Sequence, residues 1–323
     1  MKAKRLVFPE KERCEVEEYD VAPPAAGEVL VKNRLSLISA GTELAMFTGI
    51  HRGFSVPEFS YARYPFRPGY AAVGEVLEVG EGVDDIRPGD VVLHTGKHAT
   101  VAVVKRSQVP LGRLPEGLSP EEAPMVIMAG VALSAVRVAR PEVGDFVLVI
   151  GLGVVGNLAV QVYRASGGWP VGGCDLYARR LQVALECGAD FAWDTSGRPL
   201  AEYLEEFGRK PDIVVEAVGL NPTIRMALDA VADDGTVVLL GSPRSKFELD
   251  PYFDIHRRRV RMVGAYGNLR DEDLPMLAGW FASGRMKARP MITDRMPFER
   301  AGEAYRMLLD EPARHMAVLL TYD

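Results

Sequence analysis

The chain has 323 residues, 48% of them hydrophobic and 25% charged, and a net charge of -6 at pH 7. That length accommodates two domains with a sizeable core, and the negative balance gives no electrostatic reason to expect nucleic acid or an anionic membrane as partner. Three cysteines, Cys14, Cys174 and Cys187, are odd in number and far apart, which argues against a disulfide framework, and the basic start lacks an apolar run of signal-peptide length, so a cytoplasmic protein is expected.

Residues 2–112 read as short strands separated by turn signals. Glu28–Ser36, Ala72–Val79, Val91–His94 and Ala99–Val104 are apolar or alternating, with Pro-Gly, Gly-Glu-Gly and Gly-Asp clusters between them. This spacing predicts a small all-β barrel or sandwich. An irregular insert, Ala45–Pro68, carries Phe47, Phe54, Phe59, Tyr61, Tyr64 and Phe66 among His51, Arg52, Arg63 and Arg67. It either walls a pocket for a large or aromatic substrate or packs its rings on the barrel.

Ala123–Ala139 predicts an apolar helix stopped before Pro141. An apolar strand, Phe146–Ile150, then runs into Gly151, Gly153 and Gly156 and a helix whose apolar face holds Val155, Leu158, Ala159 and Val162. The G-x-G-x-x-G pattern in strand, turn and helix context predicts a dinucleotide site. Gly151 permits the turn, Gly153 admits a pyrophosphate, and Gly156 lets helix and strand pack, with Val154 and Val155 opening the helix whose dipole favours phosphate. A second strand ends at Asp175, at the roughly 20-residue spacing expected of an acid that takes the adenosine ribose hydroxyls. That acid repels a 2'-phosphate and favours NAD, while Arg179 and Arg180 keep NADP open.

Strands at Asp212–Val218, Thr236–Gly241 and Val260–Ala265 alternate with helices at 178–187, around Leu200–Phe207 and after Asn221, as a doubly wound α/β sheet requires. Val218 and Gly241 end their strands on the cofactor-binding edge. Helices follow around Leu274–Phe281 and Ala301–Leu308, and then a strand at Met316–Thr321.

Several stretches resemble the medium-chain dehydrogenase/reductase family: Ile38-Ser39-Ala40-Gly41-Thr42-Glu43, Pro68–Gly74, Arg87–Val92 and Leu114–Leu118, besides the glycine turn. The resemblance implies a GroES-like barrel domain at 1–122 and 267–323, a Rossmann domain at 123–266, and a homodimer. It also exposes departures. Where zinc-binding relatives place a cysteine this chain has Ala40 or Ser39, the ligand histidine is Tyr70, and the third ligand falls near Ile127. Zinc needs three deprotonated side-chain donors plus an open position, so no metal is expected. Thr42 matches the residue that contacts the substrate hydroxyl, Tyr70 offers a phenol in place of the histidine, and Glu43 matches the acid behind the metal. Thr42 and Tyr70 are therefore candidate proton donors, each of which alternatively completes barrel packing. Glu43 is expected to orient neighbours, His51 is a possible proton relay, and His98 reads as a turn residue. Arg180 matches an arginine that lies beside adenine.

The expectation is a zinc-independent oxidoreductase moving a hydride between NAD(H) and a hydroxyl or carbonyl of a small molecule, held in a cleft between the domains. The stretch around Ser39 and Tyr70 looks like that of the bacteriochlorophyllide dehydrogenases. Rival readings are an NADPH-dependent quinone or enoyl reductase and a non-catalytic nucleotide-binding protein.

Overall fold

The computed structural model describes residues 1–56 and 58–323. The chain divides into two compact units, one of Met1–Ile127, Asp271–Gly284 and Met291–Asp323, the other of Met128–Arg270 and Arg285–Pro290. The changeovers thus fall a few residues beyond those read from the sequence. The return of Arg285–Pro290 to the second unit has a local cause: the Gln161 side-chain amide both accepts from Lys287 N, at 2.7 Å, and donates to Lys287 O, at 3.0 Å.

In the first unit β1 (Lys2–Val7) and β2 (Glu15–Asp20) pair antiparallel. Next come β3 (Glu28–Leu37), helix α1 (Ala40–Phe47), a short 3-10 turn at Arg52–Ser55, β4 (Ala72–Val79), β5 (Val91–His94) and β6 (Val101–Lys105). Helix α2 (Pro124–Ala139) begins in this unit and continues into the second. The second unit runs β7 (Val147–Ile150), α3 (Val154–Ala165), β8 (Val171–Asp175), α4 (Ala178–Glu186), β9 (Ala192–Asp194) and α5 (Leu200–Phe207). It continues with β10 (Ile213–Glu216), α6 (Asn221–Ala230), β11 (Thr236–Leu239) and β12 (Arg261–Gly264). The chain then returns through α7 (Asp273–Ala282), β13 (Ile292–Pro297), α8 (Ala301–Asp310) and β14 (Ala317–Thr321) to the first unit.

All pairings in the second sheet are parallel, in the order β12-β11-β10-β7-β8-β9. Chain direction across the sheet reverses between β7 and β10, the switch point at which open α/β sheets bind ligands. Strands β7 and β10 are buried throughout, as a sheet covered on both faces demands. In the first unit β3 is the hub. It pairs along its length with β4, while its other edge is shared by β6 over residues 28–32 and by β14 over residues 35–37. Among the described residues the one parallel pair there is β13 with β14.

Helix α1 is absent from the expectation. Its opening Ala-Gly-Thr is a poor helix start by propensity, and tertiary burial of Ala45, Met46 and Phe47 holds it. Strands β1, β2, β9 and β13 were also not anticipated, because their charged or short sequences carry little apolar alternation. The start of α6 differs in detail: Leu220 stands at the cap, and Thr223 Oγ1 accepts the Leu220 N–H at 3.3 Å, while Asn221 donates to Lys246 O. Among the described residues no helix is long and apolar enough to cross a membrane.

His94, at the end of β5, is fully buried. Its Nδ1 accepts from Gly96 N at 3.1 Å, so Nε2 carries the proton and donates to Asn33 Oδ1 at 2.8 Å. Burial lowers its pKa from 6.5 to about 4. The unfolded chain therefore takes up this proton first as pH falls. The His94 contribution is complete above the unfolded pKa and is lost as pH drops towards the folded one. We expect a stability loss on the order of 3 kcal/mol from this residue between about pH 7 and about pH 4. Urea unfolding at a series of pH values should show a shallower acid loss in His94→Gln than in the wild type.

Candidate functional site

The glycine turn joins β7 to α3. Gly151 has a φ of +90°, and a Cβ there would lie 2.5 Å from Val218 Cγ2. A Cβ on Gly156 would lie 1.9 Å from Gly151 O, so helix and turn touch through bare backbone. At Gly153 no heavy atom lies within 4 Å of an added Cβ, which leaves the approach to α3 open. The first bond of the helix start runs from Asn157 N to Gly153 O. The N–H groups of Val154, Val155 and Gly156 have no partner one turn back and are available to an anion. Asn157 was not foreseen. Its amide donates to Leu152 O at 2.5 Å and bridges the turn, and its Oδ1 is buried with no partner among the described residues.

Asp175 is 6% exposed. Its Oδ2 accepts from Leu152 N at 2.7 Å, and its Oδ1 accepts from Leu176 N and Tyr177 N at 2.8 and 3.0 Å. The carboxylate thus ties the end of β8 to the glycine turn and keeps lone-pair capacity for further donors. Arg180 Nη1 stands 3.5 Å from Asp175 Oδ2, with its guanidinium over the Tyr177 ring. Val218 and Gly241 lie in two interlocked turns. Glu216, fully buried, accepts from Val218 N, Gly219 N and Thr223 Oγ1 at 2.9, 2.8 and 2.7 Å, while its backbone oxygen accepts from Gly241 N at 2.8 Å. Burial pushes the Glu216 pKa up against those hydrogen bonds. An acid closing an apolar strand just before a glycine was the available signal for it.

These features fit a dinucleotide: open backbone at Gly153, unpaired helix-start donors, an acid at the adjacent strand end and an orphaned acceptor on Asn157. Gly156→Ala is expected to cost about 1–3 kcal/mol by overpacking and to abolish dinucleotide binding. Thermal melts and fluorescence titration of the variant check both.

The second candidate group lies in the first unit. Tyr70 is half-buried, and its phenol is hydrogen-bonded to Ser39 Oγ, with Thr42 nearby on α1. Burial raises the Tyr70 pKa, the neighbouring Ser39 and Thr42 hydroxyls oppose that rise, and the nearby Glu43 charge adds to it. The phenol is therefore protonated at neutral pH and offers a proton.

Glu43, 1% exposed, turns away into the barrel. Its Oε2 accepts from Tyr305 Oη at 2.5 Å and from His98 Nε2 at 3.0 Å, and its Oε1 lies 3.3 Å from Ser39 N. His98 Nδ1 meets Ser36 Oγ at 2.7 Å, which in turn meets Tyr322 Oη at 2.7 Å. Reading His98 as a turn residue needs correction. It sits in a bend, but its side chain is fully buried, because the carboxylate and hydroxyl it bonds lie inside. Tyr305 and Tyr322 carried no sequence signal; they reach Glu43 and Ser36 from α8 and the chain end.

His51 is placed apart from this network. Its Nδ1 accepts from Gly53 N at 3.1 Å, capping the 3-10 turn, and its ring stacks on Phe59 with centroids 5.8 Å apart. Burial lowers its pKa. The insert packs one side inward on the barrel through Phe47 and Phe66, as one of the two alternatives expects, and leaves Phe59 and Tyr61 about two-fifths exposed.

The residues that the family resemblance sets against the zinc ligands are Ser39 or Ala40, Tyr70 and the buried Ile127. Among the described residues no three His, Cys, Asp or Glu side chains come together as a metal site. Hydroxyls that are hydrogen-bonded to one another and an aliphatic side chain do not make the donor set of a zinc ion.

Comparison with known proteins follows this geometry. Residues 25–114 match the family described as the alcohol dehydrogenase GroES-like domain, and residues 154–283 match the family described as zinc-binding dehydrogenase. D-guloside 3-dehydrogenase of Escherichia coli K12 is 29% identical over 252 residues, covering 72% of each chain. Sorbitol dehydrogenase of Ovis aries is 27% identical over 323 residues, covering 90% of this chain and 88% of that one. Among solved structures, an alcohol dehydrogenase from Escherichia coli CFT073 complexed with NADH superposes with a TM-score of 0.87 at 24% identity, over 99% of both chains. A zinc-binding dehydrogenase homologue from Sinorhizobium meliloti 1021 bound to NADP gives 0.84 at 23% identity, over 99% of both. The two matched regions together span more than half of the chain, so the chain belongs to the NAD(P)-using medium-chain dehydrogenase/reductase family, in its alcohol-dehydrogenase-like branch.

Proposed function

We propose that this protein is a zinc-independent, nicotinamide-dependent oxidoreductase that interconverts a hydroxyl and a carbonyl group on a small-molecule substrate. The observation that carries the reading is the hydrogen-bonded pair of Ser39 and Tyr70 beside Thr42 on α1, at positions that the family resemblance sets against the zinc ligands. A bound nicotinamide supplies the hydride donor or acceptor. Gly151, Gly153, Val154, Val155 and Gly156 hold the pyrophosphate through backbone N–H groups, and Asp175 receives the ribose hydroxyls beside Arg180. The turns ending at Val218 and Gly241, stapled by Glu216, wall the cofactor site. An acid at position 175 favours NAD, and Arg180 at its side tempers the repulsion of a 2'-phosphate, so NADP is accepted more weakly.

Tyr70 does the work otherwise given to a Lewis acid. Its phenol donates to the substrate oxygen and gives up its proton as a carbonyl becomes an alcohol, or takes it back in the reverse direction. Thr42 positions the same oxygen. Glu43 holds α1 in place rather than moving a proton, since both partners of its Oε2 are buried side chains. The free edge of β12 supports a homodimer formed by pairing with a second copy.

Fluorescence titration with NAD and NADP, metal analysis of the purified protein, and a screen of alcohols and ketones against enones test the proposal together. Turnover of alcohols or ketones without bound zinc is the expected result. One zinc per chain would overturn the metal-free reading, activity confined to enones would move the protein to the quinone or enoyl reductases, and cofactor binding without turnover would leave a nucleotide-binding protein.

A further inference from the structure

Glu216 is the last residue of β10 and lies in register with Ile150, the last residue of β7, so its carboxylate is carried level with the start of the glycine turn. The side chain is fully buried. Its hydrogen bonds come from Val218 N, Gly219 N and the Thr223 hydroxyl, none of them a cation. Arg244, in the loop after β11, is held by its backbone N–H to Gly219 O at 3.2 Å, and its charge reaches Glu216 without an ion pair among the described residues. Burying a carboxylate with no paired cation is costly. A glutamine of the same shape would accept the same two backbone N–H groups without that cost. The turn therefore needs an acceptor at this position but not a charge.

The turn that Glu216 holds abuts the glycine turn, since a Cβ on Gly151 would lie 2.5 Å from Val218 Cγ2. Asp175, the acid assigned to the adenosine ribose, closes β8 on one side of β7, and Glu216 closes β10 on the other. A dinucleotide laid across this switch point with its adenosine half over β8 has its nicotinamide half on the β10 side. The nicotinamide ring is positively charged when oxidised and neutral when reduced. Resting on the cofactor reading of the glycine turn, we propose that Glu216 is a buried counter-charge to the oxidised nicotinamide ring, which tightens binding of the oxidised cofactor relative to the reduced one. When a hydride leaves C4 of the reduced ring with both bonding electrons for a carbonyl carbon, and the carbonyl oxygen takes a proton from Tyr70, the ring is left cationic. Glu216 stabilises that state, so on the protein carbonyl reduction is favoured over alcohol oxidation.

Calorimetric titration of the protein with NAD and with NADH at fixed ionic strength tests this without turnover. In Glu216→Gln the ratio of the NAD to the NADH dissociation constant should rise about tenfold, an effect that one charge exerts out to roughly 12 Å at an effective dielectric of about 20. The thermal midpoint of the variant should be no lower than that of the wild type, because the amide keeps the backbone bonds and removes a buried charge. The wild type carries a second test that needs no substitution. Burial raises the Glu216 pKa, with its hydrogen bonds and the Arg244 charge opposing the rise, so the counter-charge is lost as pH falls through the acid range. The same ratio should then rise with acidity in the wild type and stay flat in Glu216→Gln. A ratio unmoved by the substitution and by pH overturns the proposal, as does an equal weakening of both forms, which would leave Glu216 a brace for the turn. Failure of the wild type to bind either form would instead defeat the cofactor reading itself, and the proposal with it.

Discussion

Tyr70→Phe is expected to lower kcat by about 10²–10⁴-fold, the range lost when a positioned general acid is removed, while KM and the thermal midpoint change little. The phenyl ring keeps the packing, and only the hydroxyl bonded to Ser39 disappears. Because burial raises the phenol pKa, Tyr70 is protonated across the neutral range. Reduction of a carbonyl should then be flat with pH near neutrality and fall only on the alkaline side, whereas oxidation of an alcohol should rise with pH until the phenol ionises. Steady-state kinetics in both directions over a pH series measure this. A variant with unchanged kcat, or one whose loss sits entirely in KM, would remove Tyr70 from the chemistry.

Glu43→Ala is expected to destabilise the first unit by about 2–6 kcal/mol, the cost of leaving two buried polar groups without an acceptor. The Oε2 atom serves both Tyr305 and His98, and each of those side chains is fully buried. Deletion leaves the Tyr305 phenol and His98 Nε2, both buried, without the acceptor they share, while His98 Nδ1 keeps Ser36. Burial and the Glu43 charge hold the Tyr305 pKa well above its ordinary value, so the phenol stays a donor at every pH the fold survives. Glu43→Gln should cost less, since the amide oxygen still accepts one of the two bonds. Urea unfolding followed by the signal of the first unit provides the measure. A loss below about 1 kcal/mol in Glu43→Ala would mean the network contributes no more than an exposed pair. The same variant should impair turnover indirectly, through α1, which carries Thr42 and is entered at Ser39.

The contrast between these two sites explains how much could be read in advance. The dinucleotide turn was legible because its parts are local: a strand, three glycines, a helix start and an acid about 20 residues on follow one another along the chain, and the backbone requirements at Gly151 and Gly156 admit almost no other residue. The alternation of strands and helices after Phe146 likewise announces a parallel sheet, since each crossover must be long enough to return to the same edge. The aromatic insert was recognisable as unusual, but whether its rings face inward or outward depends on Phe8 and Tyr305, which lie outside it.

Residue chemistry and spacing alone pointed to the nucleotide turn and to the strand–helix alternation of a doubly wound sheet. Tertiary structure alone decided that Ser39 bonds Tyr70 rather than capping its own helix, that His98 is buried against Glu43, and that Tyr305 completes that pair from 262 residues away. The physical reason is that a hydrogen bond between side chains is set by where folding brings them. Hydroxyls, imidazoles and carboxylates look alike in sequence whether they face water or one another, and only burial makes the choice of partner obligatory.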